Sequence, residues 1–403
     1  MTGAVVTDAA VTDAPVTGRA VTSRTVTGGA GNGSRILVAP ITVSPTKPLT
    51  PTHLKYVLTI DTLCQATAAI ADVTCVYDHQ AFADCHQTVA FWEYLDRALP
   101  DAGFTGADER WIGELYVRHH AEAATVPAER LRPYIERVRA EGWMHPSALR
   151  VLEIWREHYL TLNLADPGLG RGGPLRLADS LLIDSLAARD LCIDGRHMAA
   201  PVYLDLSAQG IPLRTLVSAE GQANYLMCVL GQLIPIASDY DLTVLMYDRD
   251  MRDDYVMVER VLRAFGARVS RVEVERVPIA GAAVSSRYGG WQGHTLPEVR
   301  AQAGGGDAAF QLGLRMYLIA GLGRGGRSSF EFGQLRRWVT RAQRILDMGA
   351  HADPDTARFL RRLARGTGYV DPYRLTSSLL SRDPRVPVLA LVDRICRPSV
   401  LVQ

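Results

Sequence analysis

Lysine is nearly absent from this chain. Of 44 basic side chains in 403 residues, only Lys47 and Lys55 are lysine; the rest are arginine. A chain that writes arginine elsewhere keeps a compact ammonium point charge at two positions eight residues apart. A surplus of either charge is lacking too. The 44 basic residues face 43 acidic ones, for a net charge of +1. That excludes a general polyanion binder, though not a local basic patch. No stretch has the roughly 18 uninterrupted apolar residues of a membrane-spanning helix. Six cysteines in a chain this long do not make a disulfide framework. The start of the chain lacks the basic residues and apolar core of a signal peptide. Together these absences predict a reduced, cytoplasmic protein with no membrane or DNA partner.

The two lysines lie in Ser44-Pro45-Thr46-Lys47-Pro48-Leu49-Thr50-Pro51-Thr52-His53-Leu54-Lys55. An apolar run, Ile36 to Val43, precedes it and reads as a buried strand. Leu54, Val57, Leu58, Leu63 and Ala66 follow at helical spacing. Strand, proline-rich turn and helix form the geometry in which backbone N–H groups and a lysine meet phosphate. Around this segment the chain divides by composition. Residues 1–34 repeat Val-Thr five times among small polar residues and predict a disordered tail. Residues 35–90 alternate strand and helix, and 91–170 are helical by pattern. Gly168 to Gly173 reads as a flexible connector. Strands are predicted again at Ala200–Leu206, Leu213–Val217, Leu242–Tyr247 and Ala267–Val274, and helices from Asp307 onward. This is the outline of an α/β enzyme with a phosphate-binding turn.

Other residue groups admit two readings. Cys75, His79, Cys85 and His86 fall within twelve positions, but C-x3-H-x5-C-H is unlike the paired knuckles of structural zinc. Ordinary buried cysteine is preferred there, and no metal site is assigned. Asp248 and Asp250 sit at the carboxyl end of a predicted strand, where ligands bind in open α/β sheets. Helix capping before Asp253 accounts for them equally well. Arg336, Arg337, Arg341 and Arg344 share one helix. A solvated face is the preferred reading, and an RNA-facing surface is the alternative.

The lysine segment resembles the signature of class I aminoacyl-tRNA synthetases, and most closely that of arginyl-tRNA synthetase: Ser-Pro-Asn-x-Ala-Lys-Pro-x-His-x-Gly-His-Leu-Arg. Ser44, Pro45, Lys47, Pro48, His53 and Leu54 match it. Thr50 stands for the first histidine and Thr52 for the glycine that lies against adenine in the family. Ser218-Ala219-Glu220-Gly221-Gln222-Ala223-Asn224-Tyr225-Leu226 is similar to the family's Ser-Asp-Gly-x-x-x-Tyr-Leu. Tyr225 falls on its substrate tyrosine, and Val229 stands where an aspartate faces the guanidinium. Val284 to Gly293 lies where the family keeps its mobile second signature.

The resemblance implies a Rossmann-like catalytic domain over 35–305 with a helical insertion at about 91–170. A reduced helical C-terminal domain follows over 306–403. It implies ATP and Mg²⁺ as cofactors. Lys47, His53 and Arg287 are the implied catalytic residues. Ser44, Thr50, Thr52, Asp248, Asp250, Ser285, Ser286 and Gly289 would hold the nucleotide. Thr46, His79, Tyr225 and Val229 would line the amino-acid site. With Val229 in place of the aspartate, a smaller or less basic amino acid than arginine is expected. Short flanks around the core make a small amine the expected acceptor of the activated amino acid, with tRNA possible but less favoured. A tRNA-dependent paralogue and a non-catalytic binding descendant are the alternatives.

Overall fold

A computed structural model describes residues 24–26, 33–80, 82–122, 126–164, 169, 177–282, 285–325, 328–348, 356–383 and 385–396. The predicted glycine connector, most of the predicted tail and Val284 fall outside these residues, save Leu169.

The central strand is β2 (Arg35–Pro40). Its alternate side chains go to opposite faces of the sheet, as strand geometry requires. Ile36 and Val38 join one apolar core, and Leu37 and Ala39 join the other. A strand buried on both faces is written as a continuous apolar run. Strand β3 (Asp72–Cys75) pairs parallel on one side of β2, with Ile36 opposite Val73. Strand β7 (Leu242–Asp248) pairs parallel on the other side, with Val38 opposite Val244. Strand β8 (Val269–Val274) extends the sheet beyond β7. Strand β1 (Arg24–Val26) pairs antiparallel with the outer edge of β3. These three residues correct the reading of residues 1–34 as wholly disordered. An Arg-Thr-Val run is short but has the β-branched content that suits an edge position.

Helix α1 (Pro51–Thr67) connects β2 to β3. It is buried on nearly every side because the C-terminal helices pack over the face that the sheet leaves free. Arg315 and Asp61 form an ion pair at 2.8 Å, almost wholly out of solvent, where helix α10 (Asp307–Met316) meets α1. Helices α11 (Phe332–Leu346), α12 (Thr356–Leu363), α13 (Pro372–Ser378) and α14 (Val388–Cys396) complete an apolar cluster with Ala66 and Ile70.

Between β3 and β7 come four helices: α2 (His86–Ala98), α3 (Glu109–Glu122), α4 (Ala128–Glu141) and α5 (Pro146–Thr161). After α6 (Asp179–Ala187), a small antiparallel sheet is formed by β4 (Cys192–Asp194), β5 (Val202–Leu204) and β6 (Arg214–Val217). Helix α7 (Tyr225–Leu233) then leads back to β7, and α8 (Arg252–Ala264) joins β7 to β8. Helix α9 (Leu296–Ala303) precedes α10. Strand β4 and helices α9 and α13 are too short to produce a periodic signal that sequence reading detects.

Lys55 does not share the surroundings of Lys47. It is fully buried on α1, and its Nζ donates to the Gly323 carbonyl at 2.8 Å, with the Tyr373 ring 6.0 Å away. Burial pulls its pKa down to about 8. The second lysine therefore anchors the segment after α10. Lys55→Ala is expected to lower unfolding free energy by about 2–4 kcal/mol, through a lost stem and an orphaned carbonyl. Urea unfolding measures it.

Candidate active site

The carboxyl ends of β2, β7 and β8 open onto a cavity of about 230 Å³. Open parallel sheets bind ligands at that edge, where connections leave neighbouring strands in opposite directions. Here β2 lies between β3 and β7.

The turn after β2 supplies Ser44 and Lys47 to the cavity, and the start of α1 supplies Thr50, Thr52 and His53. Helix α1 opens with Thr50 as N-cap and Pro51 in the first turn, a strong combination for starting a helix. The Thr50 N–H donates to His53 Nδ1 at 3.2 Å, and the Thr50 hydroxyl lies 3.0 Å from the same nitrogen. With Nδ1 accepting, the neutral imidazole carries its proton on Nε2. Burial, then the charges of Lys47 and Arg276, hold His53 well below the usual histidine range. Its ring is therefore neutral at pH 7 and donates from Nε2. The Thr52 hydroxyl accepts from the Val277 N–H at 3.1 Å, tying α1 to the strand end of β8.

Lys47 is 9% exposed, and its Nζ stands 4.9 Å from the centre of the Tyr116 ring. Burial, Arg287 and Arg276 lower its pKa to about 8. Three cations crowd the cavity, and their mutual repulsion is relieved by an anionic ligand. Asp248 is the one carboxylate among the described residues that line it. Its Oδ2 accepts from Arg276 at 2.9 Å and its Oδ1 from the Asp250 N–H at 2.9 Å.

The far wall comes from residues 285–287. Arg287 Nε donates to Ser285 Oγ at 3.2 Å, and the Ser286 carbonyl accepts from Trp291 Nε1 at 3.1 Å. Gly289 follows this turn with φ +83° and is not among the lining residues. Glycine there serves the left-handed backbone. Asp250 is not in the lining either. It pairs with Arg276 at 2.9 Å, and Asp248 caps the turn Arg249–Met251. Asp248 thus caps the turn while lining the cavity, and the Asp250 side chain serves as an ion-pair partner of Arg276.

Among the polar lining residues that the sequence reading did not assign to the site are Gln87, Tyr116 and Arg276. Arg276 lies two residues past β8, so the strand-end rule reaches it. Gln87 on α2 and Tyr116 on α3 carry no local signal; they are adjacent only because the helical insertion folds back on the sheet. Gln87 Nε2 donates to the Tyr116 hydroxyl. Gly113, one turn before Tyr116, lets α3 approach closely. A Cβ there would stand 2.5 Å from Pro48 Cδ and 2.9 Å from the Trp291 ring. Gly113→Ala is expected to cost about 1–3 kcal/mol of stability by overpacking. It should also weaken nucleotide binding, because Pro48 adjoins Lys47. Thermal unfolding and nucleotide titration read the two effects.

A second cavity, too tight to hold a water molecule, shares Ser44 with the first and adds Thr46, His79, Phe82, Thr88, Trp92 and Met144. Thr46 and His79 are thus brought beside the main site, in a wall without a carboxylate. Tyr225 and Val229 line neither cavity. Tyr225 packs edge-on against Phe82 at 6.3 Å, and burial with the Asp254 charge raises its hydroxyl pKa. Val229 is 5% exposed within the apolar cluster on the other face of the sheet. The inner face of α7 is committed to the core, which removes Val229 from contact with a ligand in either cavity.

No family profile matches the chain, and no curated protein sequence matches it. Solved structures do. Arginyl-tRNA synthetase of Thermus thermophilus superposes with a TM-score of 0.52 at 17% identity, over 92% of this chain and 74% of that one. The enzyme of Plasmodium falciparum gives 0.49 at 10% identity, over 88% and 66%. A putative arginyl-tRNA synthetase of Campylobacter jejuni gives 0.44 at 9%, over 94% and 95%. The first of these carries the structural assignment: the chain has the fold of a class I aminoacyl-tRNA synthetase catalytic core, a Rossmann-like sheet with helical parts, similar to that of arginyl-tRNA synthetase.

Proposed function

We propose that this protein is an ATP-dependent ligase that activates an amino acid as its aminoacyl-adenylate and passes the aminoacyl group to a small amine. The observation that carries the activation step is the meeting of Lys47, Arg276, Arg287 and the Nε2–H of His53 at the carboxyl edge of a parallel sheet. In the reaction, a carboxylate oxygen of the amino acid bonds to the α-phosphorus of ATP, and the bond to pyrophosphate breaks. Negative charge builds on the phosphoryl oxygens, and prepositioned donors stabilise it. Lys47 holds the phosphates, His53 donates from Nε2, and Arg287 takes the departing pyrophosphate. Ser44, Thr50, Thr52, Ser285 and Ser286 line the nucleotide's path. Mg²⁺ would be held mainly by the triphosphate, its usual mode. The cavity carboxylate, Asp248, is already held by Arg276. The ion adds charge neutralisation on the triphosphate.

The amino-acid side chain is proposed to lie beside Ser44 and Thr46. The wall there, Phe82, Trp92, Met144 and Ala148 with Thr46 and His79, is closed to a water molecule as it stands and would have to open; without a carboxylate it suits an uncharged side chain better than a guanidinium. The small-amine acceptor remains the reading of the sequence; on α11, two of the four arginines offered as an RNA-facing surface are engaged within the chain. Arg336 donates to the Gln302 carbonyl and Arg341 to the Leu380 carbonyl.

The test is amino-acid-dependent ATP–pyrophosphate exchange over all proteinogenic amino acids, with and without tRNA. Exchange with an uncharged amino acid in the absence of tRNA is expected. Exchange only with tRNA would sink the tRNA-independent reading. Absence of ATP binding by a folded protein would sink the enzyme reading and leave a binding descendant.

The pH profile has a definite sign. The Lys47 ammonium is present below about 8 and lost above it. The kcat/KM for ATP, which reports the free enzyme, is expected to fall as pH rises through about 8. Lys47→Arg should move that fall to higher pH, because guanidinium stays charged.

A further inference from the structure

Outside the nucleotide cavity, Asp84, Cys85 and Cys228 bring one carboxylate oxygen and two sulfurs within 4.8 Å of one another. We propose that these three side chains bind a divalent metal ion that prefers thiolate, zinc by its donor set, and that the ion fastens α7 to the loop beside the active site. Cys85 and Cys228 are separated by 143 residues in sequence. Their sulfurs nevertheless lie 3.3 Å apart, and Cys228 Sγ lies 3.8 Å from Asp84 Oδ1. Zinc–sulfur bonds of about 2.3 Å and zinc–oxygen bonds of about 2.0–2.2 Å give tetrahedral edges of about 3.8 Å between sulfurs and about 3.5 Å between sulfur and oxygen. The two observed edges fall within half an ångström of those values.

The surroundings support a buried site with three protein ligands. All three residues are buried, with Cys228 at 0% exposure. Asp84 Oδ2 accepts from Arg139 Nε at 3.0 Å, and Arg139 Nη2 donates to Asp179 at 2.8 Å. That bridge turns Oδ1 toward the sulfurs, as an outer partner orients a ligating carboxylate. Charge closes as well. Two thiolates and the Asp84 carboxylate carry three negative charges, which a divalent ion and the Arg139 guanidinium offset, while Arg139 is shared with Asp179, which is 23% exposed and partly solvated. Cys85 is the N-cap of α2, and Cys228 lies near the start of α7, so two helix N-termini favour the same negative charge. Binding releases the two thiol protons to solvent, and a water takes the fourth corner of the tetrahedron.

This assignment changes the partner of Cys85. The sequence pattern offered Cys75, His79 and His86, and the fold supplies Cys228 and Asp84. The tethered loop also gives His79 and Phe82 to the second cavity, and α2 gives Gln87 to the first.

The test is metal analysis of the full chain purified under reducing conditions without chelator. About one zinc per chain is expected, with strong pH dependence of release, as for a thiolate site. Cys228→Ser and Cys85→Ser should reduce the metal content at least tenfold. If either fails to fold, cobalt loading of the wild-type chain decides the matter: a thiolate-to-cobalt charge-transfer band is expected, and Asp84→Asn should weaken or shift it. A metal-free protein that gives no such band with added cobalt would overturn the proposal. An intact mass two daltons low, with both thiols unreactive, would also overturn it, because the pair would then be a disulfide formed by an oxidant.

Discussion

Lys47→Ala lowers amino-acid-dependent ATP–pyrophosphate exchange by on the order of 10²- to 10³-fold, the cost of removing one preorganised donor from a developing oxyanion. The reason lies in the setting of the side chain. Lys47 is 9% exposed, and its pKa is lowered to about 8 by burial and two neighbouring guanidiniums. Its charge is held at a cost that only an anionic ligand repays, so its loss should affect turnover far more than folding. Unfolding free energy should stay level or rise, because a desolvated cation is gone. The decisive comparison is exchange rate against urea stability in the same variant. Retained exchange in a folded Lys47→Ala protein would remove the adenylation site from this cavity.

Val229→Asp is expected to destabilise the protein by about 2–5 kcal/mol, since it places a carboxylate in an apolar cluster. The resemblance in sequence puts this position against the substrate's guanidinium, so a reader of the alignment would expect the aspartate to restore arginine activation. The structure gives the opposite expectation. Val229 packs with Leu226, Leu230, Leu245 and Tyr255 and lines neither cavity. Urea unfolding and exchange with arginine together test it. A stable variant that gains arginine-dependent exchange would show that the position reaches substrate after all.

Much of the fold was legible in the sequence, for identifiable reasons. β2 and β7 are written as apolar or β-branched runs because they are buried on both faces, whereas β8, at the sheet edge, interleaves Val with Ser, Arg and Glu. Helix α1 announces itself through the helical spacing of Leu54, Val57, Leu58, Leu63 and Ala66, and the structure adds a local cap at Thr50 with Pro51. The turn holding Ser44, Lys47 and His53 was legible for the same reason: its residues are neighbours in the chain, and the scarcity of lysine singles it out. Ser285, Ser286 and Arg287 also join the cavity as the order of parts implied.

What the sequence could not decide depends on residues that meet only through folding. Nothing local distinguishes Lys47, which faces the cavity from the turn before α1, from Lys55, which turns from α1 to the Gly323 carbonyl. Gln87 and Tyr116 enter the site from the insertion because Gly113 admits Pro48 and Trp291 at close range. Cys85 finds Cys228 across 143 residues, and no spacing rule reaches that far. By itself the sequence determined the longer strands, the first helix and the turn between β2 and α1, since each is fixed by propensity, capping and alternation over a few residues. Only the tertiary structure decided which charges share a cavity, which cysteines meet and which motif residues are core. Those outcomes depend on the packing of distant segments, where burial and direct contact outweigh local preference.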